Sequence, residues 1–312
     1  MDIRKISKYY IDCFSEVHKR NNFQRETAVN VSSRVDSSVF LIGSTISVLK
    51  PHLFDKRNIV EKRYLIQPAI RTQQLRCMEK NMGTGSCYGS FFVAMGDLAP
   101  YSSLEGIFEL SMDFFQKVFE MSEQKLMFRV SSKDEDLLTC CQKYRKCCKI
   151  EVDSQQEKYY QHHYGLDKEK IFGRNCNIAV APKEDMEYKD IANIIVIEKE
   201  GQPFSVELAM GLSSLISHAF GFEHTMRGNI VADFLKMENQ DDFWLGDCLS
   251  VIACLTLEGI RPNSSHMQGR ILKRYNKVFD NLCLRMQYSE KEKQVMLSSY
   301  FDAYAEFVKL FA

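Results

Sequence analysis

The stretch Asp190–Phe220, DIANIIVIEKEGQPFSVELAMGLSSLISHAF, constrains this chain most. Ile194–Ile197 reads as a strand, Gly201-Gln202-Pro203 as a turn, and Phe204–Leu208 as a second strand. A glycine follows, and Leu212, Leu215, Ile216 and Phe220 then recur at helix spacing. The order is therefore strand, turn, strand, glycine, helix.

Tyr64–Gly96 gives a second such unit. Tyr64-Leu65-Ile66 and Ala69-Ile70 are strand formers, and Arg71 closes the run. Thr72–Gly89 is rich in Gln, Lys, Asn, Gly and Ser without an apolar period, which predicts a loop, with Gly83-Thr84-Gly85 lending it flexibility. Ser90–Met95 resumes the strand, and Gly96 is expected to end it. An arginine at one strand end facing the aromatic pair Phe91-Phe92 suits an adenylate. The forked, permanently charged guanidinium matches a phosphate, and a ring can stack on a base. On their own, the same residues also describe a core hairpin with one surface arginine.

The 312 residues carry 41 Lys and Arg against 41 Asp and Glu, so no global charge argues for nucleic acid, DNA included, or a membrane surface. No apolar run reaches transmembrane length, and MDIRKISKYY does not read as a signal peptide. The eleven cysteines are accordingly expected to be reduced thiols of a cytoplasmic protein. Cys140-Cys141 and Cys147-Cys148 lack zinc spacing and sit in a helical period, and the neighbours His162 and His163 point to different sides of any regular element. No metal site is expected.

In chain order, helices are expected over Ile3–Asn22, Ser102–Glu120 and Glu290–Ala312, and a strand over Lys125–Val130. Asp36–Phe54 predicts a strand, a Gly-Ser-Thr break and a short helix stopped near Pro51. Asp134–Asp136 reads as the acidic first turn of a helix, where the dipole favours carboxylates.

In this order the chain resembles the catalytic domain of alanyl-tRNA synthetase, a class II aminoacyl-tRNA synthetase. Asn193-Ile194-Ile195-Val196 and Ser205-Val206-Glu207-Leu208-Ala209-Met210-Gly211-Leu212 parallel the family's Asn-Ile-Val and Ser-Val-Asp-Thr-Gly-Met-Gly-Leu segments. Gln67, Arg71, Phe91, Phe92, Met95 and Gly96 parallel its opening hairpin, and Asp36, Phe40 and Lys50 hold their places ahead of it. Glu258-Gly259-Ile260-Arg261-Pro262-Asn263 and Gly269-Arg270-Ile271-Leu272-Lys273-Arg274 are similar to the opening of the family's acceptor-stem-binding helical domain. The family's tryptophan and Gly-Pro-Cys-Gly-Pro segment shrink here to Phe172–Ile178.

The resemblance implies an α+β fold: a mainly antiparallel sheet flanked by helices over residues 1–222, followed by a helical, tRNA acceptor-stem-binding-like domain over 223–312. It implies that Arg71 grips the group bridging adenosine and aminoacyl, that Phe91 or Phe92 lies against adenine with Gly211 alongside, that Glu207 receives the substrate amine, and that Asn193 beside it makes a polar contact to the substrate. Arg261, Arg270, Lys273, Arg274 and Lys277 would face tRNA phosphates. One departure matters. The family's Gly-Leu-Glu-Arg arginine, which holds the γ-phosphate of ATP, is replaced in Gly211-Leu212-Ser213-Ser214, leaving Arg174 or Arg227 to fold back or the activation step to lapse. The leading expectation is transfer of an aminoacyl group from aminoacyl-tRNA to the amine, sulfonamide or sulfamate of a small-molecule acceptor, nucleoside-like among the options, with no cofactor. The alternatives are an ATP- and Mg²⁺-dependent aminoacyl ligase and a catalytically silent tRNA- or partner-binding relative.

Overall fold

The structure is a computed structural model that describes residues 1–54, 61–82, 86–119, 125–183 and 186–311. Gly83-Thr84-Gly85, Glu120 and Ala312, which enter the readings above, lie outside the described residues. The chain opens with helix α1 (Ile3–Arg20), whose N-cap Asp2 accepts from Lys5 N at 2.9 Å. A short strand β1 (Gln24–Arg25) and helix α2 (Thr45–Phe54) lead into the long hairpin of β2 (Arg63–Ile70) and β3 (Phe91–Pro100). Then follow α4 (Leu104–Phe119), β4 (Lys125–Val130), α5 (Glu135–Gln142), β5 (Lys149–Val152), β6 (Gln161–Leu166) and β7 (Ile171–Ala181). Between β2 and β3 lies α3 (Leu75–Lys80). β8 (Lys189–Lys199), β9 (Gln202–Gly211) and α6 (Leu212–Ala219) complete the sheet region, and α7 (Gln240–Leu257), α8 (Met267–Arg285) and α9 (Glu290–Val308) end the chain.

The nine strands among the described residues form one sheet in the order β1-β2-β3-β9-β8-β7-β4-β5, with β6 also paired to β7. The β1–β2 and β4–β5 pairs are parallel and the others antiparallel. This is the α+β class expected from the sequence. No helix among the described residues is long and apolar enough to cross a membrane.

The central hairpin forms because Ile194–Ile197 is covered on both faces and Glu200 and Gly201 supply the consecutive positive φ angles, 53° and 76°, of a tight turn. One face of the sheet packs α1, α4 and α6 together with the C-terminal helices. There Phe14, Phe114 and Tyr64 meet, and the Phe91 ring lies 5.5 Å from Tyr304. The helices after residue 222 thus share one apolar core with the sheet.

Buried polar ties reinforce the join. Asp247 on α7 accepts from Ser90 N at 2.7 Å and Phe91 N at 3.1 Å. Tyr275 on α8 donates to Ser90 Oγ at 2.8 Å, and Gln268 Nε2 donates to Ser32 O and Phe40 O at 2.9 and 3.0 Å. Glu258, just past α7, accepts from Ser32 N at 2.8 Å.

Three local expectations change. Asp36–Ile42 makes turns rather than a strand, because Asp36 accepts from Ser38 N at 3.0 Å and takes a buried ion pair with Lys50 at 2.8 Å, while α2 runs through Pro51 to Phe54. The stretch after Arg71 is not structureless, since Leu75 and Met78 bury one face of α3. Gly96 does not end its strand. It pairs with Leu65 and Ala209 in mid-sheet, where an added Cβ would sit 2.5 Å from Thr45 Oγ1 and 2.8 Å from Leu208 O.

Candidate active site

Over the other face of the sheet lies a cavity of about 310 Å³. Strand alternation decides which residues reach it. Phe92 and Ala94 of β3, Asn193 and Ile195 of β8, and Ala209 and Gly211 of β9 project the same way. Ser213 and Ser214 close it from the first turn of α6, Tyr88, Gly89 and Thr225 from the loops, and His162 from β6.

Arg71 lines this cavity at the end of β2. Its backbone N–H donates to Ser90 O and its Nε to Gly43 O, both at 2.9 Å, and its guanidinium carbon stands 5.2 Å from the centre of the Phe92 ring. The terminal nitrogens make no hydrogen bond among the described residues, so the fork is free to meet an anion. Burial lowers the Arg71 pKa, with the Glu207 carboxyl opposing. Gly211 caps the wall next to Phe92, an added Cβ there lying 3.5 Å from its ring.

Phe91 needs correction. It is one residue out of phase with Phe92, so it faces the core and Tyr304 rather than the cavity. Glu207 needs correction too. It lies on the cavity face of β9, paired with Ile195, but is 2% exposed and absent from the cavity wall. Tyr164 donates to its Oε2 at 2.9 Å. Desolvation pushes the Glu207 carboxyl up to about 8, against the hydrogen bond from Tyr164 and the charge of Arg71, with Asp97 adding to the rise. As placed, this carboxyl is sealed from the cavity that a substrate ammonium would enter. Asn193 remains in the wall, half-buried, with Asn177 opposite it on β7; the Asn177 Nδ2 is buried without a hydrogen-bond partner among the described residues.

Neither candidate replacement for the missing arginine reaches the cavity. Arg174 is tied to Asp136 at 2.7 Å and Glu198 at 2.7 Å, and Arg227 lies 5.9 Å from the Phe222 ring. Arg71 is thus the one arginine or lysine in the wall among the described residues. Asp190, the acid in the wall among the described residues, is held by Tyr159 at 2.6 Å and by Arg129. On α8 and the loop before it, Arg261, Arg270, Lys273 and Lys277 are exposed, while Arg274 forks onto Glu79 at 2.6 Å through two nitrogens.

Sequence reasoning missed His162 and Tyr164. Both lie on β6 over Gly173, and their rings are 4.8 Å apart. Burial, then the charges of Arg71 and His163, push His162 down to about 4, so its ring is neutral at physiological pH. The sequence signal was available in the alternation His162-His163-Tyr164 opposite a glycine.

No family model matches the sequence, and no curated protein matches it. Solved structures do. Apo histidyl-tRNA synthetase of S. aureus is similar over 88% of this chain and 84% of its own, at 12% identity and a TM-score of 0.43. Asparaginyl-tRNA synthetase from Pyrococcus horikoshii, complexed with asparaginyl-adenylate, is similar over 73% and 67%, at 11% identity and a TM-score of 0.44. A pyrrolysyl-tRNA synthetase from Desulfitobacterium hafniense is similar over 70% and 70%, at 10% identity and a TM-score of 0.40. Their amino acids are histidine, asparagine and pyrrolysine.

Proposed function

We propose that the cavity holds an adenosine unit and that the protein moves an aminoacyl group from aminoacyl-tRNA to a small-molecule acceptor. The observation that carries this reading is the pairing of one open guanidinium, Arg71, with the face of Phe92 in a wall with no other arginine or lysine among the described residues. That pair suits a base joined to a single anionic or ester group. It does not suit a triphosphate, whose transferring charge requires several positioned cations. Ser213 and Ser214 occupy the turn where a γ-phosphate cation is needed, so the residues present do not fit ATP with Mg²⁺.

An aminoacyl ester is activated enough for transfer without ATP. The site supplies proximity, with the adenosine end fixed by Phe92 and Arg71 and the carbonyl brought beside the Asn193 carboxamide. The exposed cations Arg261, Arg270, Lys273 and Lys277 offer the phosphate contacts a tRNA acceptor stem needs.

ATP–pyrophosphate exchange across the twenty amino acids, run beside incubation of charged tRNA with candidate acceptors, tests the reading. The expected result is no exchange with any amino acid and aminoacyl transfer from charged tRNA. Exchange with one amino acid refutes it and establishes the ATP-dependent ligase instead. Binding of tRNA with neither reaction establishes a silent relative.

A further inference from the structure

His218, in the last turn of α6, is 3% exposed, and neither of its ring nitrogens has a hydrogen-bond partner among the described residues. Buried polar atoms almost always find a partner, and a group left without one costs stability. Burial, then the charge of Lys189, lowers the His218 pKa, with the Phe222 backbone and Asp190 acting the other way. The ring is therefore neutral at physiological pH and offers one N–H and one lone pair.

The ring nearest to it on the cavity side is Tyr88. Its centre lies 6.5 Å from that of His218, with the two planes at 88°, and Tyr88 itself lines the 310 Å³ cavity. The backbone on both sides of Tyr88 is held. Thr225 N donates to Cys87 O at 2.9 Å, and Gly89 N donates to Thr225 Oγ1 at 3.2 Å. A Cβ on Gly89 would stand 2.4 Å from Met226 Sδ, so this backbone is pressed against its neighbour. α6 is tied to the same frame, because Ser217 Oγ donates to Thr225 O at 3.2 Å. Tyr88 and His218 thus share fixed supports, while the Tyr88 side chain is 48% exposed and has room to turn. Burial, with Cys87 and Asp190 adding, raises the Tyr88 pKa, so its hydroxyl keeps its proton and can both donate and accept.

The cavity has a use for a second ring. Phe92 covers one face of a planar group, but at the start of α6 the wall offers only Gly211, Ser213 and Ser214, none large enough to cover the other. His162, also in the wall, packs against Tyr164 at 4.8 Å.

We propose that Tyr88 is the second aromatic face of this site: with a nucleobase over Phe92, the Tyr88 ring closes on its other side and the Tyr88 hydroxyl hydrogen-bonds a ring nitrogen of His218. The proposal rests on the adenosine reading and names the residues that complete its base site. Binding then supplies the partner that His218 lacks in the free protein, and Tyr88 is selected for its hydroxyl as well as its ring.

Isothermal titration of the full chain with AMP tests the assignment. Tyr88→Ala should weaken AMP binding about tenfold or more, the order of one base stack. Tyr88→Phe and His218→Leu should each weaken it about fivefold, the order of one neutral hydrogen bond. The double variant Tyr88→Phe with His218→Leu should bind no more weakly than either single one, because both remove the same bond. His218→Leu should also melt no lower than the wild type by circular dichroism, since it removes two unpaired buried atoms from the free protein. Unchanged affinity in a folded Tyr88→Ala variant overturns the aromatic wall. Single effects that add in the double variant overturn the bond to His218. A wild type that does not bind AMP defeats the adenosine reading, and the base site with it.

Discussion

Replacing Glu207 by glutamine should stabilise the protein, and by an amount that grows with pH. The carboxyl is 2% exposed, and its pKa is pushed from an ordinary value of 4.5 up to about 8. In the unfolded chain it ionises near the ordinary value, so between about 4.5 and 8 the folded state binds the extra proton. Stability from this group therefore falls as pH rises through that window and is level on either side of it. At roughly 1.4 kcal/mol per pH unit, the full interval corresponds to about 4–5 kcal/mol, an upper figure because the protein relaxes around a buried charge. Glutamine cannot ionise, and its amide oxygen still accepts from Tyr164 at the position of Oε2. Urea unfolding at pH 5, 6.5, 8 and 9, followed by fluorescence of the buried Trp244, measures the difference. Glu207→Gln should match the wild type near pH 5, apart from a constant offset, and exceed it by several kcal/mol above pH 8. A difference that is the same at every pH, or a penalty that grows with pH, would refute the assignment of a neutral buried acid.

Gly96→Ala should cost about 2–4 kcal/mol in urea unfolding, because the Cβ lies 2.8 Å from a backbone oxygen, Leu208 O, that cannot swing away. Arg71→Lys should weaken AMP binding about tenfold or more by calorimetry, since an ammonium keeps the charge but loses the fork and the bond to Gly43 O. An unchanged affinity would show that the guanidinium does not meet the phosphate. The double reversal Lys273→Glu with Lys277→Glu should lower tRNA affinity at physiological salt and flatten its salt dependence by about two counterions in filter binding. Arg274, engaged by Glu79, should contribute less than either lysine.

The sequence is most informative where a signal is local. The β8–β9 hairpin, Gly211 and α6 follow from a branched run, a turn and a helical period that need no distant partner. Arg71 and Phe92 are likewise legible, because a strand end and the facing strand fix their approach. The pair Phe91-Phe92 cannot be resolved without knowing which face of β3 carries the helices, and Tyr304, far along the chain, supplies that answer. Gly96 looks like a stop because glycine usually punctuates; its role here comes from Thr45 crossing the strand. α3 carries only two buried residues, and its stability comes from helices that follow much later, such as α7, where Cys248 Sγ meets Met78 Sδ at 3.9 Å. The charge state of Glu207 is set by burial, acting against the Tyr164 hydroxyl, and a residue's identity encodes neither.

The ties from Asp247, Tyr275, Gln268 and Glu258 to Ser90, Phe91 and Ser32 give the C-terminal helices a thermodynamic grip on the pocket. Where two sites are coupled, the coupling is reciprocal: whatever factor one ligand imposes on the affinity for the other is returned by the other. If a polyanion settling on the cations of α8 alters the affinity for adenosine beside Phe92, adenosine must alter the grip on the polyanion by an equal factor. Amide exchange at Ser90 and Phe91, whose N–H groups point at Asp247, reports that coupling directly from the middle of the linkage.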